Sequence, residues 1–170
     1  MSSFFCVTLY KNLSQFLIQN NTMNLQTLIS IYQRDLAKLK EEILAYNNEQ
    51  DLWKKVEGTQ NSGGNLALHI IGNLNHFIGT ALGNTGYVRD REAEFASKDV
   101  PSKQIAEDLE ATSQMIEQTL TNLPVEQLTK NYPQGFRDQV FPVDYMLIHF
   151  LVHLNYHLGQ VNYHRRFVSA

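Results

Sequence analysis

Apolar residues recur at intervals of three and four along much of the chain, which is the pattern of amphipathic helices. The clearest example runs from Asn24 to Asn47, where charged residues separate the apolar ones. The apolar positions of this stretch are Leu25, Leu28, Ile29, Tyr32, Leu36, Leu39, Ile43 and Leu44. The pattern therefore predicts a first long helix over residues 24–47.

A second helix is predicted after a linker, residues 48–64, that ends in the turn-forming sequence Asn-Ser-Gly-Gly. Asn65 is a candidate N-cap for this helix, which reaches about Leu82. A Gly-Asn-Thr-Gly sequence at residues 83–86 is expected to end the helix. The charged residues 87–95 then predict a solvated loop.

Two further helices are predicted in the second half of the chain. One of about twenty residues follows Pro101, and a Leu-Pro pair at residues 123–124 closes it. Residues 130–140 are a candidate short hairpin, and Pro142 suits the first turn of a last helix over residues 143–167. The sequence therefore predicts an all-α fold, a four-helix bundle with long connections.

Residues 1–22 differ from the rest of the chain. Their apolar stretch is interrupted by polar residues and is too short for a membrane span, which needs about 20 apolar residues. The stretch also lacks the basic start and the small-residue cleavage site of a signal peptide. We expect residues 1–22 to be an N-terminal extension of poor order, and residues 23–170 to form the bundle domain.

Composition and charge exclude several classes of function. Fourteen Lys and Arg residues against seventeen Asp and Glu give a formal net charge of −3, so the chain has no overall positive field to attract nucleic acid. A single cysteine, Cys6, cannot form an internal disulfide, a cysteine-based zinc site or a redox pair. We therefore expect a cytoplasmic protein that binds neither nucleic acid nor membranes.

Four of the six histidines lie in the last predicted helix. At about 100° per residue, His149, His153, His157 and His164 fall with Gln160 in an arc of about 80°, beside the apolar face. The second predicted helix has a similar polar line within about 60° of arc. Its members are His69, Asn73, His76 and Thr80.

These two polar lines predict a metal site if the helices are neighbours. Residues four apart lie one turn above each other, so His153 and His157 can chelate one ion together with an imidazole from the second helix. Three nitrogen ligands and one open position are typical of catalytic zinc, although nickel, iron or manganese also suits such ligands. The alternative interpretation is that the histidines are packed, hydrogen-bonded residues without a metal.

Other polar residues have open roles. His149 could replace His153 if the helix register differs, and His76 or His149 could instead donate a ring N–H to a carboxylate or carbonyl around the site. His164, which precedes two arginines, is expected to be solvated or to cap the helix end. Spacing does not favour either Glu94 or Asp144 as a general base. In the charged loop, Arg89 and Arg91 could bind the carboxylate of a peptide thiol, although a solvated loop is the simpler expectation.

Two segments of the chain carry a resemblance to a known family. They are Asn-Leu-Ala-Leu-His-Ile-Ile-Gly-Asn-Leu-Asn-His at residues 65–76 and His-Leu-Asn-Tyr-His-Leu-Gly-Gln-Val-Asn-Tyr-His-Arg at residues 153–165. Together they resemble the DinB/YfiT-like superfamily, whose members are described as metalloenzymes, and the likeness extends from about Met23 to the end. Leu158 departs from the family, in which arginine often precedes the Gly-Gln pair.

The resemblance implies a DinB-like four-helix bundle in which His69, His153 and His157 bind a divalent metal ion, zinc or nickel. It also implies a cytoplasmic homodimer and a small-molecule substrate, with a low-molecular-weight thiol as a candidate. The function it favours is a thiol-dependent S-transferase that acts on small electrophiles. A metal-dependent hydrolase and a non-enzymatic, stress-associated metal-binding protein are the alternatives.

Overall fold

The computed structural model describes residues 24–135 and 138–168, so the predicted extension over residues 1–22 lies outside the described residues. Helices make up nearly all the regular structure of the described part, which confirms the all-α prediction. Extended pairing within those two ranges is confined to one isolated antiparallel bridge between Asn131 and Pro142.

The first helix, α1 (Leu25–Leu44), begins where the sequence predicts. The side chain of Asn24 accepts a hydrogen bond from the backbone N–H of Thr27 at 3.2 Å, which satisfies one of the unpaired donors of the first turn. A short helix, α2 (Glu49–Trp53), follows inside the predicted linker. Five residues are too few to show a helical period, so the sequence pattern did not reveal α2.

The next helix, α3 (Gly63–Leu74), begins earlier than predicted. Ser62 is its N-cap, because its hydroxyl accepts a hydrogen bond from the backbone N–H of Asn65 at 3.2 Å. The prediction of Asn65 as N-cap is therefore wrong. Asn65 is buried, and its amide donates hydrogen bonds to the carbonyl oxygens of Glu94 and Ser97.

A π-helical segment (Asn75–Thr80) and a short helix, α4 (Ala81–Gly83), continue α3 close to its predicted end. The prediction of a solvated loop over residues 87–95 is wrong, because a further short helix, α5 (Arg91–Ala96), occupies half of it. Asp90 caps α5 by accepting from the backbone N–H of Ala93 at 2.9 Å.

The two remaining long helices agree with the sequence within about two residues. They are α6 (Ser102–Thr121) and α7 (Val143–Val168), and a 3₁₀ turn (Val125–Gln127) lies between them. The predicted hairpin region before α7 forms no strand in its described part, although the backbone N–H of Tyr132 donates to the carbonyl oxygen of Phe141 at 2.8 Å.

The long helices share one core. Helix α1 packs on α6 and α7, and α3 packs on the same two helices. Tyr32 of α1 is fully buried and donates a hydrogen bond from its hydroxyl to the carbonyl oxygen of Leu147 at 2.6 Å. The rings of Phe77 and Phe150 stack at a centroid distance of 5.0 Å. This contact joins the π-helical segment that follows α3 to α7. The helices that carry the two polar lines are therefore neighbours.

Membrane insertion by these helices has no support in their sequence. Within residues 24–135 and 138–168, none is both long enough and apolar enough to span a bilayer.

Candidate metal centre

Three imidazoles meet where α3 packs on α7. His69 comes from α3, and His153 and His157 lie one turn apart on α7. One nitrogen from each ring can be chosen so that all three lie within 4.8 Å of one another. The Nε2 atoms of His69 and His153 are 3.1 Å apart. Two nitrogens at about 2.0–2.1 Å from a tetrahedral zinc ion are about 3.3 Å apart, so the arrangement is close to that of a metal site.

The ring of His69 is held from behind by a buried ion pair. Its Nδ1 lies 2.9 Å from Oε2 of Glu94, so Nδ1–H donates to the carboxylate and Nε2 faces the other two imidazoles. Arg89 donates to both oxygens of Glu94, from Nε at 2.6 Å and from Nη2 at 2.8 Å. This is the carboxylate–histidine arrangement that fixes the tautomer of metal ligands and makes them more basic.

Glu94 fits against α3 because residue 72 is glycine. A Cβ atom at Gly72 would overlap the carboxylate of Glu94. The amide of Asn65 also holds α5 in place, through the carbonyl oxygens of Glu94 and Ser97 at 3.1 and 3.0 Å. The position of the carboxylate is therefore determined by the packing of α5 on α3.

The ring of His157 is oriented by its own helix. Its Nδ1 lies 2.7 Å from Oε1 of Gln160, one turn further along α7, so Nδ1–H donates to the amide oxygen. Nε2 is then the nitrogen that remains for a ligand role. Gln160, a member of the predicted polar line, thus positions a candidate ligand.

Burial lowers the pKa of all three imidazoles. For His153, desolvation and the neighbouring rings of His157 and His69 lower the pKa to about 4. For His69, burial outweighs the hydrogen bond that the ring donates to Glu94, which acts in the opposite direction, and the pKa falls. Desolvation likewise lowers the pKa of His157. The neutral imidazole is the form that binds metals, so these rings are suitable ligands at neutral pH.

Glu94 stays ionised in this environment. Burial alone would raise its pKa, but the hydrogen bonds from Arg89 and His69 outweigh the loss of solvent and lower it. The carboxylate therefore presents a negative charge to His69, and it accepts hydrogen bonds rather than donating one.

A cleft of about 760 Å³ opens beside His157. It lies between α7 and the segment that connects α2 to α3. Its lining residues are Val56, Glu57, Gly58, Thr59, Gln60, Asn61, Leu66, Tyr156, His157, Gln160, Tyr163, His164 and Phe167. Aromatic and uncharged polar side chains dominate this surface, and its volume is in the range of small-molecule sites.

Three histidines of the predicted lines do not join the group, and two of them pack against phenylalanine. The ring of His76 packs edge-on against Phe77 at a centroid distance of 4.7 Å, and the ring of His149 packs against Phe150 at 5.7 Å. In the described part of the chain, the histidine cluster with metal-ligand spacing consists of His69 and the His153–His157 pair. The alternative in which His149 replaces His153 therefore finds no support in the geometry.

His164 is buried, so the expectation that it is solvated is wrong. The hydroxyl of Tyr46 donates to its Nδ1 at 2.7 Å, and its Nε2–H donates to the carbonyl oxygen of Lys54 at 2.8 Å. The chain between α1 and α3 folds over this end of α7 and removes His164 from solvent. Both ring nitrogens are then satisfied by the protein.

The charged segment before α5 also departs from expectation. Arg89 is nearly buried against Glu94, so its guanidinium is not available for a substrate carboxylate. Arg91 is exposed and lies over the ring of Phe95 at 5.6 Å. Asp144 is nine residues before His153, about 13 Å along the helix axis, whereas Glu94 contacts His69 directly. Sequence spacing gave no signal for Glu94 as the partner of His69, because 25 residues and a change of helix separate them.

Comparison with protein families gives one match. A family model described as "Protein of unknown function (DUF1572)" matches residues 20–170, so the chain belongs to this family. A search of curated proteins found no match.

Proposed function

We propose that this DUF1572-family protein is a metal-dependent enzyme in which His69, His153 and His157 bind one divalent ion, zinc or nickel. We also propose that its helices form the DinB-like type of four-helix bundle. The observation that carries the proposal is the convergence of three imidazole nitrogens within 4.8 Å beside an open cleft. The buried carboxylate of Glu94 behind one ring adds the support that metal-binding histidines commonly have.

The donor set fits a catalytic ion better than a structural one. Structural zinc sites are usually closed by four protein ligands, whereas catalytic sites have three and an open position. In residues 24–135 and 138–168, the group contains three histidines and no fourth Cys, Asp or Glu ligand. One of the three candidate ligands, His157, lines the neighbouring cleft.

The reaction we propose is transfer of a thiol to a small electrophile: a bond forms between the thiol sulfur and the electrophilic carbon, the bond from that carbon to its leaving group breaks, and the leaving group departs with the thiol proton. A divalent ion with an open position is a Lewis acid that lowers the pKa of a thiol or water ligand toward neutrality. Glu94 holds the tautomer and orientation of His69, and Gln160 does the same for His157. The aromatic side of the cleft suits an apolar electrophile, and the amides of Gln60 and Asn61 can hydrogen-bond a polar thiol.

Hydrolysis is the second candidate reaction, and one observation favours it. The cleft lining contains no Lys or Arg, and Arg89 is engaged by Glu94. A thiol that carries carboxylates therefore has no cation from this lining to bind it, whereas water needs none. Assays with a thiol and with water alone as the second reactant distinguish the two reactions.

The test begins with the metal content of protein purified without an affinity tag. We expect about one ion per chain in the wild type and in His149→Ala, and much less in His153→Ala. The reason is that His153 belongs to the three-histidine group and His149 does not. His149→Ala is a matched control from the preceding turn of the same helix. Failure of the wild type to bind added zinc or nickel would contradict the proposal.

The second stage assays the metal-loaded protein with a panel of thiols and electrophiles. Loss of free thiol in step with a thioether product supports transfer, and hydrolysed product without loss of thiol supports hydrolysis. Either activity should disappear with a chelator and in His153→Ala. If the absorption spectrum of the nickel-loaded protein does not change when azide or thiol is added, the site is instead closed and structural.

A further inference from the structure

Asn73 of α3 has a buried side-chain oxygen that makes no hydrogen bond. The residue is 7% exposed, and its Oδ1 accepts from no donor within residues 24–135 and 138–168. A carbonyl oxygen in this situation has lost its hydrogen bonds to water and gained none from the protein, which costs stability. The fold alone therefore does not account for an amide at this position.

Asn65, two turns earlier on the same helix, has a buried amide with partners. It is 3% exposed, its Nδ2 donates to the carbonyl oxygens of Glu94 and Ser97, and its Oδ1 accepts from the hydroxyl of Ser62 at 2.8 Å. These hydrogen bonds hold α5 and the start of α3 in place. Asn73 is buried almost as deeply, but its Oδ1 connects no two elements.

Helical geometry places the amide of Asn73 beside His69. Both residues belong to the regular part of α3, where four residues rotate the helix by about 40° beyond one full turn and advance it by about 6 Å. Side chains of a helix lean toward its N-terminus, so the side chain of Asn73 extends over the turn that carries His69. The two side chains therefore lie on one line, one turn apart.

Contacts before and after Asn73 show that this line faces α7. His69, four residues earlier, has its Nε2 3.1 Å from Nε2 of His153. Phe77, four residues later, stacks on Phe150 with a centroid distance of 5.0 Å. Phe150 and His153 are three residues apart on α7. Asn73 therefore faces α7 between the pair of phenylalanines and the three imidazoles.

We propose that Asn73 is a ligand-binding residue of the three-histidine site, and that its Oδ1 accepts a hydrogen bond from a small molecule bound beside the imidazoles. This inference rests on the proposed function, because it requires the divalent ion that the three histidines bind. An ion with three protein ligands leaves one position for a molecule from solution. The unpaired oxygen of Asn73 supplies an acceptor one helical turn from His69.

The acceptor favours a particular class of ligand. An amide oxygen accepts hydrogen bonds from O–H and N–H groups, and it gains nothing from a methyl group. A site with a buried acceptor discriminates against a ligand that lacks the matching donor, because the acceptor then stays unpaired. The substrate class that Asn73 favours is therefore a thiol with a hydroxyl or amide N–H close to its sulfur.

The first measurement is the stability of metal-free variants in urea. Asn73→Leu removes an amide whose oxygen is unpaired, so it should leave the urea midpoint unchanged or raise it. Asn65→Leu is the matched comparison, because it removes three hydrogen bonds from the same helix and should lower the midpoint clearly. Equal losses of stability in the two variants would show that Asn73 has a structural role, and would contradict the proposal.

The second measurement compares two thiols of similar size, 2-mercaptoethanol and propane-1-thiol, in which a methyl group replaces the hydroxyl. Binding of each thiol to the nickel-loaded protein is followed by the change in its absorption spectrum. The ratio of the two dissociation constants measures the preference for the hydroxyl, and a general change in affinity cancels from it. Asn73→Leu should lower this preference about tenfold, the effect of one lost hydrogen bond. Its nickel content should stay near one ion per chain, since the three histidines are unchanged.

Asn73→Asp is the matched control for the hydrogen bond. Its carboxylate has an oxygen acceptor on a side chain of the same shape, so the preference for 2-mercaptoethanol should be retained. An unchanged preference in Asn73→Leu, or a loss of preference in both variants, would contradict the proposal while leaving the nickel site of the wild type intact. A wild type that binds no nickel would instead contradict the proposed function, and a nickel-loaded wild type that binds neither thiol would contradict both.

Discussion

His69 and His164 are both buried histidines in contact with another element, but the protein uses their ring nitrogens differently. The two residues are 5% and 6% exposed. His164 has a hydroxyl on one nitrogen and a backbone carbonyl on the other, so its hydrogen-bonding capacity is filled by neutral groups. His69 has a carboxylate on one nitrogen, and the other faces two more imidazoles.

The comparison shows that the partners of each nitrogen distinguish a candidate ligand from a structural histidine. Burial is similar for the two residues and does not separate the two roles. A carboxylate behind one nitrogen strengthens the other as a donor, whereas a ring with two neutral partners holds two elements together. The predictions that follow use this contrast.

The largest expected effect separates the two histidines by metal binding. His69→Ala should reduce the affinity for added zinc by more than about 100-fold, because a ligand is lost outright, while His164→Ala should bind zinc nearly as the wild type does. Isothermal titration of metal-free protein measures both. Equal losses of zinc affinity in the two variants would show that the hydrogen-bond partners of a buried histidine do not distinguish a metal ligand from a structural residue.

For stability, the residue expected to matter is His164. His164→Ala leaves the hydroxyl of Tyr46 and the carbonyl of Lys54 without their partner, and it should lower the free energy of unfolding by about 2–3 kcal/mol. Urea denaturation of metal-free protein gives the value. A loss below about 0.5 kcal/mol would mean that water replaces the ring and that His164 is not structural.

Glu94→Gln tests the carboxylate behind His69. The amide keeps the shape but loses the charge, and the metal affinity should fall about 10- to 100-fold. Glu92→Gln is the matched control, because Glu92 is exposed on the same short helix. If both variants bind metal alike, the carboxylate does not contribute to the site.

A smaller effect of pH should distinguish His164 as a structural residue. Burial lowers its pKa in the folded state, and the hydrogen bond to Lys54 only partly opposes this. Below about pH 6.5 the unfolded chain takes up a proton that the folded chain does not, so the stability contributed by the neutral ring is lost as pH falls.

The stability difference between wild type and His164→Ala should therefore narrow between pH 7.5 and pH 5.5. Urea denaturation with a chelator present removes any contribution from bound metal at both pH values. A difference that stays constant or widens at the lower pH would contradict the assignment of a lowered pKa.

The long helices and the two faces that meet could be predicted from the sequence, because both depend on a local period. The spacing of His153 and His157 indicates one side of the site and the polar line that contains His69 indicates the other, but the sequence pattern leaves open whether the two helices are neighbours. Membership of the DUF1572 family rests on a family model that matches residues 20–170 and not on a local period.

The supporting residues could not be predicted, because they depend on how short segments fold back. Glu94 reaches His69 only through a six-residue helix held by Asn65, and neither has a periodic signal. The sequence alone predicts that His164 is exposed near the helix end. In the structure, the linker before α3 covers it. Ser62 and Asn65 are both good N-caps by type, and the packing of Asn65 on α5 decides between them.

The segment between α4 and α6 supplies the buried ion pair of Arg89 and Glu94 but none of the three candidate ligands. The long helices therefore determine where the three imidazoles lie, whereas this short segment supplies the hydrogen-bond partner of His69 alone. One candidate ligand can therefore be tuned through a segment that contains none of the ligands.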